Sequence, residues 1–351
     1  MRYLRHETER LLDQVIANRD HITGCGDVFK LEKILKQHFG KQHALAVSSA
    51  TSGITAIAYA ADLHDAEVIA SPLSWGGSLA ALGLLGNTMV LAGVESRTLN
   101  LDPESLPLCL SPRTRAVLST DQGGTAADHE SIAAFCRAHG LLYISDSACS
   151  MGAYDAQGRA AGSLADVTVV SFTQGKGITA GEGAAIVTEH AHIHDRLLQA
   201  SQHPERQGKE LGSFAASEFA PLNARIHPFA ATLLVNSFEQ QMDRLKDKQQ
   251  RMSNFLARHS EELGIEASLY SAHPRISTYF DTHLPVDLSK LPAELEGAIT
   301  YPRPVTTKLM GAYPVSFRVP SPLEPHLEEL QATPYIRLNL LLELHPEWQY
   351  C

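Results

Sequence analysis

Lys176 lies in Ser171-Phe172-Thr173-Gln174-Gly175-Lys176-Gly177-Ile178-Thr179-Ala180-Gly181-Glu182-Gly183. It is flanked by glycines and follows the run Val167–Val170, apolar except for Thr168. A loop at the end of a buried strand is poor ground for a solvated charge. It is good ground for an amine that condenses with a carbonyl. Upstream, Leu141-Leu142-Tyr143-Ile144-Ser145-Asp146 is a second apolar run, and it ends in an aspartate. A carboxylate at a buried strand end is costly unless it meets a cation. An amine and a carboxylate facing one pocket match the two ends of pyridoxal phosphate. The lysine forms a Schiff base with the aldehyde, and Asp146 pairs with the protonated pyridine nitrogen, keeping the ring an electron sink. Alone, Lys176 also reads as an ordinary surface lysine; Asp146 is what changes the balance.

Two further stretches fit such a ligand. Ser48-Ser49-Ala50-Thr51-Ser52-Gly53 joins a strand to a helix, where free amides and the helix dipole attract a phosphate. The same residues also read as plain helix capping. Ser171 is a second phosphate donor candidate. Trp75, in Ser71-Pro72-Leu73-Ser74-Trp75-Gly76-Gly77, can stack on a pyridine ring or fill a core.

These residues need a scaffold, and the chain supplies one. Short apolar runs at Ala44–Val47, Glu67–Ala70, Thr88–Leu91, Arg115–Ser119, Leu142–Ser145, Val167–Phe172 and Ala184–Thr188 are bounded by Gly, Pro, Ser or Asp and predict strands. Helices are predicted over Ser52–Ala61, Leu79–Leu85, Asp128–His139 and Ala191–Ser201. Strand alternating with helix implies an α/β fold with a mostly parallel sheet covered on both faces. Ligands in such sheets bind beyond the carboxyl ends of the strands. Asp146 and Lys176 both fall there. From Pro228 to His259 a long helix is expected, with Leu234, Phe238, Met242 and Leu245 at helical spacing. It leads to a smaller C-terminal domain with strands at Ile276–Phe280, Val315–Val319 and Tyr335–Leu338. The expected division is 1–240 for the large domain and 241–351 for the small one.

Composition narrows the function classes. The chain has 351 residues, 44% hydrophobic and 19% charged, with a formal net charge of −10. No basic stripe supports nucleic-acid binding. No run approaches the roughly 20 apolar residues of a membrane span. The charged stretch Met1–Asp20 lacks a signal-peptide core. Cys25, Cys109, Cys136, Cys149 and Cys351 show no CxxC spacing, so neither a zinc site nor a disulfide framework is indicated, and a cytoplasmic location is expected. The 17 histidines form no HExxH pattern, and His190, His192 and His194 read as surface residues.

The motifs resemble a known family. Val47 to Gly53, Ser145-Asp146-Ser147-Ala148-Cys149-Ser150-Met151-Gly152-Ala153-Tyr154, and Ser171-Phe172-(x)3-Lys176-Gly177-Ile178-Thr179-(x)2-Glu182-Gly183 are similar to the DegT/DnrJ/EryC1/StrS aminotransferases. Val94 to Arg115 and Val28 to Gly40 fit in order and spacing, and the likeness covers about residues 20–250. Within the family the chain resembles the UDP-sugar 4-aminotransferases of the pseudaminic acid and 4-amino-4-deoxyarabinose pathways. The resemblance implies a fold-type-I transferase with a seven-stranded sheet and a small α+β domain. It implies that Lys176 carries the cofactor, Asp146 holds the pyridine nitrogen, Trp75 stacks on the ring, and Ala50, Thr51 and Ser171 bind phosphate. Asn223, in Leu222-Asn223-Ala224-Arg225, would reach the phosphate of a neighbouring subunit's cofactor, which requires a homodimer with shared sites. The implied reaction is ping-pong transfer of an amino group from an amino acid, by family habit glutamate, to a keto-sugar nucleotide.

There are departures. Cys149 stands where the family usually has His or Gln, beside the cofactor's phenolic oxygen, and a thiol is a weaker hydrogen-bond partner. Met151 and Gly183-Ala184 also deviate. The C-terminal region matches only at Tyr301-Pro302-Arg303-Pro304-Val305 and Leu342-Glu343-Leu344-His345-Pro346, and the sequence stops at Cys351, where relatives continue into a helix. Two other readings stay open: a pyridoxal phosphate enzyme of another reaction type (elimination, replacement, racemisation, or amination of a non-sugar ketone), and a non-catalytic homologue.

Overall fold

The structure, a computed structural model, describes residues 2–17, 21–155, 157–212, 221–261, 278, 282–291, 293–304 and 315–338. The strands, in chain order, are β1 His43–Val47, β2 Glu67–Ala70, β3 Thr88–Leu91, β4 Thr114–Thr120, β5 Leu142–Asp146, β6 Val167–Ser171, β7 Ala184–Thr188, β8 His283–Pro285, β9 Ile299–Thr300, β10 Ser316–Arg318 and β11 Tyr335–Arg337. The helices are α1 Arg2–Ala17, α2 Asp27–Phe39, α3 Ala50–Ala60, α4 Gly76–Gly83, α5 Leu106–Cys109, α6 His129–His139, α7 Ala191–Ser201, α8 Pro204–Leu211, α9 Pro228–His259 and α10 Glu324–Ala332.

A large sheet runs in the order β1-β7-β6-β5-β4-β2-β3-β10. Strands β6, β5, β4, β2, β3 and β10 are parallel, while β7 pairs antiparallel with both β6 and β1. Strand β1 therefore points the same way as β6, and the turns after β1, β2, β4, β5 and β6 all open at one edge. Both faces of the sheet are buried, which is why its strands read as continuous apolar runs. Leu45, Val47, Ile144, Val167, Val169 and Ile186 face a core shared with α3, α4 and α7. Ala44, Ala46, Val170, Ala185 and Val187 face a second core shared with α2 and α9. Asp146 lies two residues beyond Ile144, so it faces the α3 and α4 side.

A second, three-stranded sheet runs β8-β11-β9, antiparallel throughout. Its core takes Leu284, Leu295, Ile336 and Leu338 together with Met252, Phe255 and Leu256 from the last turns of α9. Helix α9 is thus one rod that serves both cores and passes unbroken through 240 and 241.

The expected sheet of seven strands has an eighth. Residues Ser316–Arg318, expected in the small domain, pair with the open edge of β3, Ser316 opposite Thr88. Two local facts favour this. Gly83 leaves room for Val315, whose Cγ2 would lie 2.7 Å from a Cβ placed there. Arg318 ion-pairs with the buried Glu67 at 2.7 Å. Apart from Thr278, the expected strand Ile276–Phe280 lies outside the described residues, as do Val305 and the Leu342–Pro346 motif. Among the described residues no helix is long and apolar enough to cross a membrane.

Candidate active site

Asp146 is the last residue of β5 and is buried. Its Oδ2 accepts a hydrogen bond from Ser78 Oγ at 2.6 Å, and its Oδ1 accepts one from Ala148 N at 3.1 Å. Burial pushes the Asp146 carboxyl above the usual carboxylate range, against the pull of Ser78, Ala148 and the Lys176 charge. The group is therefore held where its ionised form lacks full compensation.

Lys176 sits half-buried on the loop between β6 and β7. Thr173 pairs with Gly181 across the base of that loop, and Ala180 N donates to Phe172 O at 2.9 Å. Gly175 has φ 91° and Gly181 φ 86°, backbone turns that glycine adopts without strain. Lys176 Nζ donates to Cys149 Sγ at 3.0 Å. Burial pushes the Cys149 thiol up despite the nearby Lys176. Cys149 thus joins the lysine loop to the turn after Asp146, bringing three of the sequence candidates together. The Cys149 carbonyl in turn accepts a hydrogen bond from Thr278 Oγ1 at 2.8 Å.

The phosphate candidates divide. Ser49 caps α3 by accepting from Ser52 N at 3.1 Å, and Ser52 Oγ accepts from Ser49 N at 3.1 Å. The capping reading is therefore correct for these two serines. It uses the third amide of the helix and leaves those of Ala50 and Thr51, the first two residues of α3, with no acceptor inside the helix. Ser171 is buried, and its hydroxyl donates to Thr173 Oγ1 at 3.1 Å, so it faces its own loop.

The core reading of Trp75 does not hold: the residue is 75% exposed and fills no core. A Cβ built on Gly77 would lie 2.8 Å from Trp75 Nε1 and 3.1 Å from Thr51 Oγ1. The absence of a side chain at Gly77 therefore lets the indole lie close to the start of α3. Asn223 is exposed, in the left-handed region at φ 43°. The next residue, Ala224, accepts a hydrogen bond from Ser48 N at 3.0 Å, which puts Asn223 beside the β1–α3 turn of its own chain.

The sequence reading missed two groups. Ser78, on the first turn of α4, carries no motif of its own. Asp121 follows β4 as Asp146 ends β5, so the signal that singled out one aspartate was available for the other. Asp121 is fully buried and accepts from Ser147 Oγ at 2.7 Å and Ser150 Oγ at 2.6 Å; its Oδ1 lies 2.9 Å from His129 Nε2. Burial opposes its ionisation, but His129, the Ser150 hydroxyl and the Ala127 amide outweigh burial and hold it below the usual range. It fastens the turn that carries Cys149.

The fold has many relatives of known structure. A DegT/DnrJ/EryC1/StrS aminotransferase from Brucella abortus superposes with a TM-score of 0.76 at 18% identity, over 99% of this chain and 98% of that one. Helicobacter pylori PseC, an aminotransferase involved in the biosynthesis of pseudoaminic acid, gives 0.75 at 21% identity, over 97% and 94%. An E. coli GDP-4-keto-6-deoxy-D-mannose-3-dehydratase with bound hydrated PLP gives 0.75 at 16% identity, over 95% and 96%. At these identities the likeness establishes the fold. The sequence itself matches the family description across residues 3–286, and the chain belongs to the DegT/DnrJ/EryC1/StrS aminotransferase family.

Proposed function

We propose that the chain moves an amino group from an amino acid, glutamate in the first instance, to a keto-sugar nucleotide, using pyridoxal phosphate. The observation that carries this reading is the Lys176–Cys149–Asp146 arrangement. It joins an amine to a buried carboxylate whose ionised form is under-compensated. Such a carboxylate fits a cationic ring nitrogen, because a cation arriving there completes it. The N-terminus of α3 fits a phosphate, and the exposed indole beside it fits a flat ring.

When bound, pyridoxal phosphate supplies a carbonyl to carry the amino group and a cationic ring to take up electrons from a breaking C–H bond. The chain does the rest. Asp146 would hold the ring nitrogen, Trp75 one ring face, and Cys149 the edge bearing the phenolic oxygen. The Ala50 and Thr51 amides would hold the phosphate, with Ser171 joining them once its hydroxyl turns from Thr173. Lys176 would bind the aldehyde end through Nζ. Released from that role, Nζ takes the proton from the α-carbon of the amino-acid donor. In the second half-reaction it gives a proton to the former carbonyl carbon of the acceptor. Asn223 would complete the phosphate site of a second copy, making the working unit a homodimer.

The test is a visible spectrum of the pure protein with added pyridoxal phosphate, before and after glutamate, with borohydride reduction and peptide mapping of the sample that has received no glutamate. The expected result is a yellow protein, bleached by glutamate with stoichiometric 2-oxoglutarate, and a tag on Lys176. A tag on another residue, or a protein that stays colourless, overturns the reading. Release of pyruvate and ammonia from serine, offered in place of glutamate, assigns the chain to eliminations instead.

A further inference from the structure

Helix α9 reaches the candidate site through side chains that belong to none of the cofactor motifs, Gln241 foremost. Gln241 Oε1 accepts a hydrogen bond from Thr179 N at 2.8 Å, and Gln241 Nε2 donates to Thr179 O at 3.1 Å. A carboxamide that meets both backbone groups of one residue imitates a neighbouring strand. The rotamer is held in turn: Nε2 also donates to Ser237 Oγ at 2.8 Å, and Ser237 Oγ donates to Leu233 O at 2.7 Å.

Thr179 is the hub of the lysine loop. Its hydroxyl donates to Phe172 O at 2.9 Å and Thr173 O at 3.0 Å, and accepts from Gly181 N at 3.2 Å. Its side chain therefore ties both ends of the loop together, while its peptide groups are committed to Gln241. One turn further along α9, Leu245 packs against Gly177, where a Cβ would lie 2.8 Å from Leu245 Cδ2. A second turn on, Gln249 Nε2 donates to Gly152 O at 2.8 Å, on the segment after Cys149. Residues 241, 245 and 249 share one face of the helix. Gly177 follows Lys176 directly, so this face flanks the lysine on its C-terminal side.

We propose that Gln241 is a positioning residue for Lys176: by closing on both peptide groups of Thr179 it fixes the loop that aims the lysine amine at its carbonyl partner. This rests on Lys176 being the cofactor-binding amine. Because α9 ends in the core of the small sheet, the same rod ties the lysine loop to that sheet. Gln241 touches none of the reacting atoms and acts through Thr179.

The test uses the full chain, cofactor-free at the start of the capture measurement and saturated with pyridoxal phosphate for the other two, as wild type and as Gln241→Met, Gln241→Glu and Gln249→Met. Three quantities are measured: deuterium uptake in peptides covering 173–183, the rate of cofactor capture by visible absorbance, and the borohydride tag on Lys176. Gln241→Met removes both hydrogen bonds to Thr179 along with the one to Ser237, and amide exchange in 173–183 is expected to rise roughly tenfold or more, with capture slowed by about the same factor. Gln241→Glu keeps the acceptor for Thr179 N and loses the donor to Thr179 O, so it is expected to fall between. Gln249→Met acts on another loop and is expected to leave 173–183 within about twofold of wild type. Exchange and capture unchanged in Gln241→Met overturn the proposal. So does a rise shared equally by Gln249→Met or by peptides of the last turns of α9, since that signals general loosening. A wild-type protein that takes no tag on Lys176 fails the underlying reading. A wild-type tag with no change in Gln241→Met fails the proposal alone.

Discussion

Glu32, on α2, and Asp146, at the end of β5, are both buried carboxylates, and the chain equips them differently. Glu32 meets Arg206 of α8 in a fork, Oε1 with Nη1 at 3.0 Å and Oε2 with Nη2 at 2.8 Å, and also accepts from Ala46 N at 2.8 Å. Arg206 Nε is taken by Glu210 at 2.7 Å. Although burial alone would lower it, the Arg206 pKa is raised by Glu32 and Glu210. Each charge in that region has its counter-charge within the chain. Burial pushes both carboxyls up, but Glu32 receives a guanidinium fork where Asp146 receives one hydroxyl and one amide. A structural buried charge is completed by the protein itself, whereas a functional one is left for a ligand to complete. The difference supports the proposed reading, in which the Glu32 region is scaffold and the Asp146 region carries the chemistry.

Substitutions can break or sharpen this contrast. The largest effect is expected at Lys176. Lys176→Ala should lower turnover by about 10³-fold or more, because proton transfer and covalent attachment go together. Steady-state 2-oxoglutarate formation checks this, and the melting temperature should stay close to wild type. Next is the completed pair. Arg206→Ala strands Glu32 and should destabilise the chain by roughly 3–5 kcal/mol, read by urea denaturation. Replacing both residues with methionine should restore most of that loss, since the pair is matched.

Asp146→Asn should have the opposite sign on stability. A folded-state carboxyl pKa above its unfolded value means that ionisation opposes folding. At neutral pH, cofactor-free Asp146→Asn should therefore be more stable than wild type by about 1–3 kcal/mol. This advantage should shrink as pH falls through the raised folded value and vanish below the ordinary carboxylate range. The same variant should bind pyridoxal phosphate more weakly. Urea melts across pH and a cofactor titration measure the two signs together; a loss of stability at pH 7 would break the contrast. The smallest effect is expected at Cys149. Its thiol is a weak acceptor, so Cys149→Ala should change turnover by less than about tenfold, while Cys149→His gives Lys176 a stronger neighbour.

The scaffold was largely legible. Strands such as Glu67–Ala70, Thr88–Leu91 and Ala184–Thr188 could be bounded to the residue, because a strand buried on both faces is apolar throughout and stops at turn formers. Helix α9 was legible from its apolar spacing. Strand β10 was visible as a strand, but its partner was not. Its pairing depends on an open edge at β3, on room at Gly83 and on Arg318 reaching Glu67, which lies far away in sequence. Ser78 and Gln241 were missed for the same reason. Ser78 meets Asp146 across 68 positions and Gln241 meets Thr179 across 62, and periodicity says nothing about contacts at that separation.

Residue type and local order pointed to the kind of chemistry proposed for this chain: a lysine between glycines after one apolar run, an aspartate closing another, and small hydroxyl residues at a helix start. These follow from short-range rules, since burial pattern, turn formers and capping act over a few residues. Tertiary structure decided which hydroxyl Asp146 keeps, that Trp75 stands exposed beside α3, that Cys149 lies against Lys176, and that α9 grips the lysine loop. Each of these is a meeting of segments far apart in the chain, set by how strands order in the sheet and which helix face lies over it. Packing of the whole chain chooses those partners, and no local pattern encodes them.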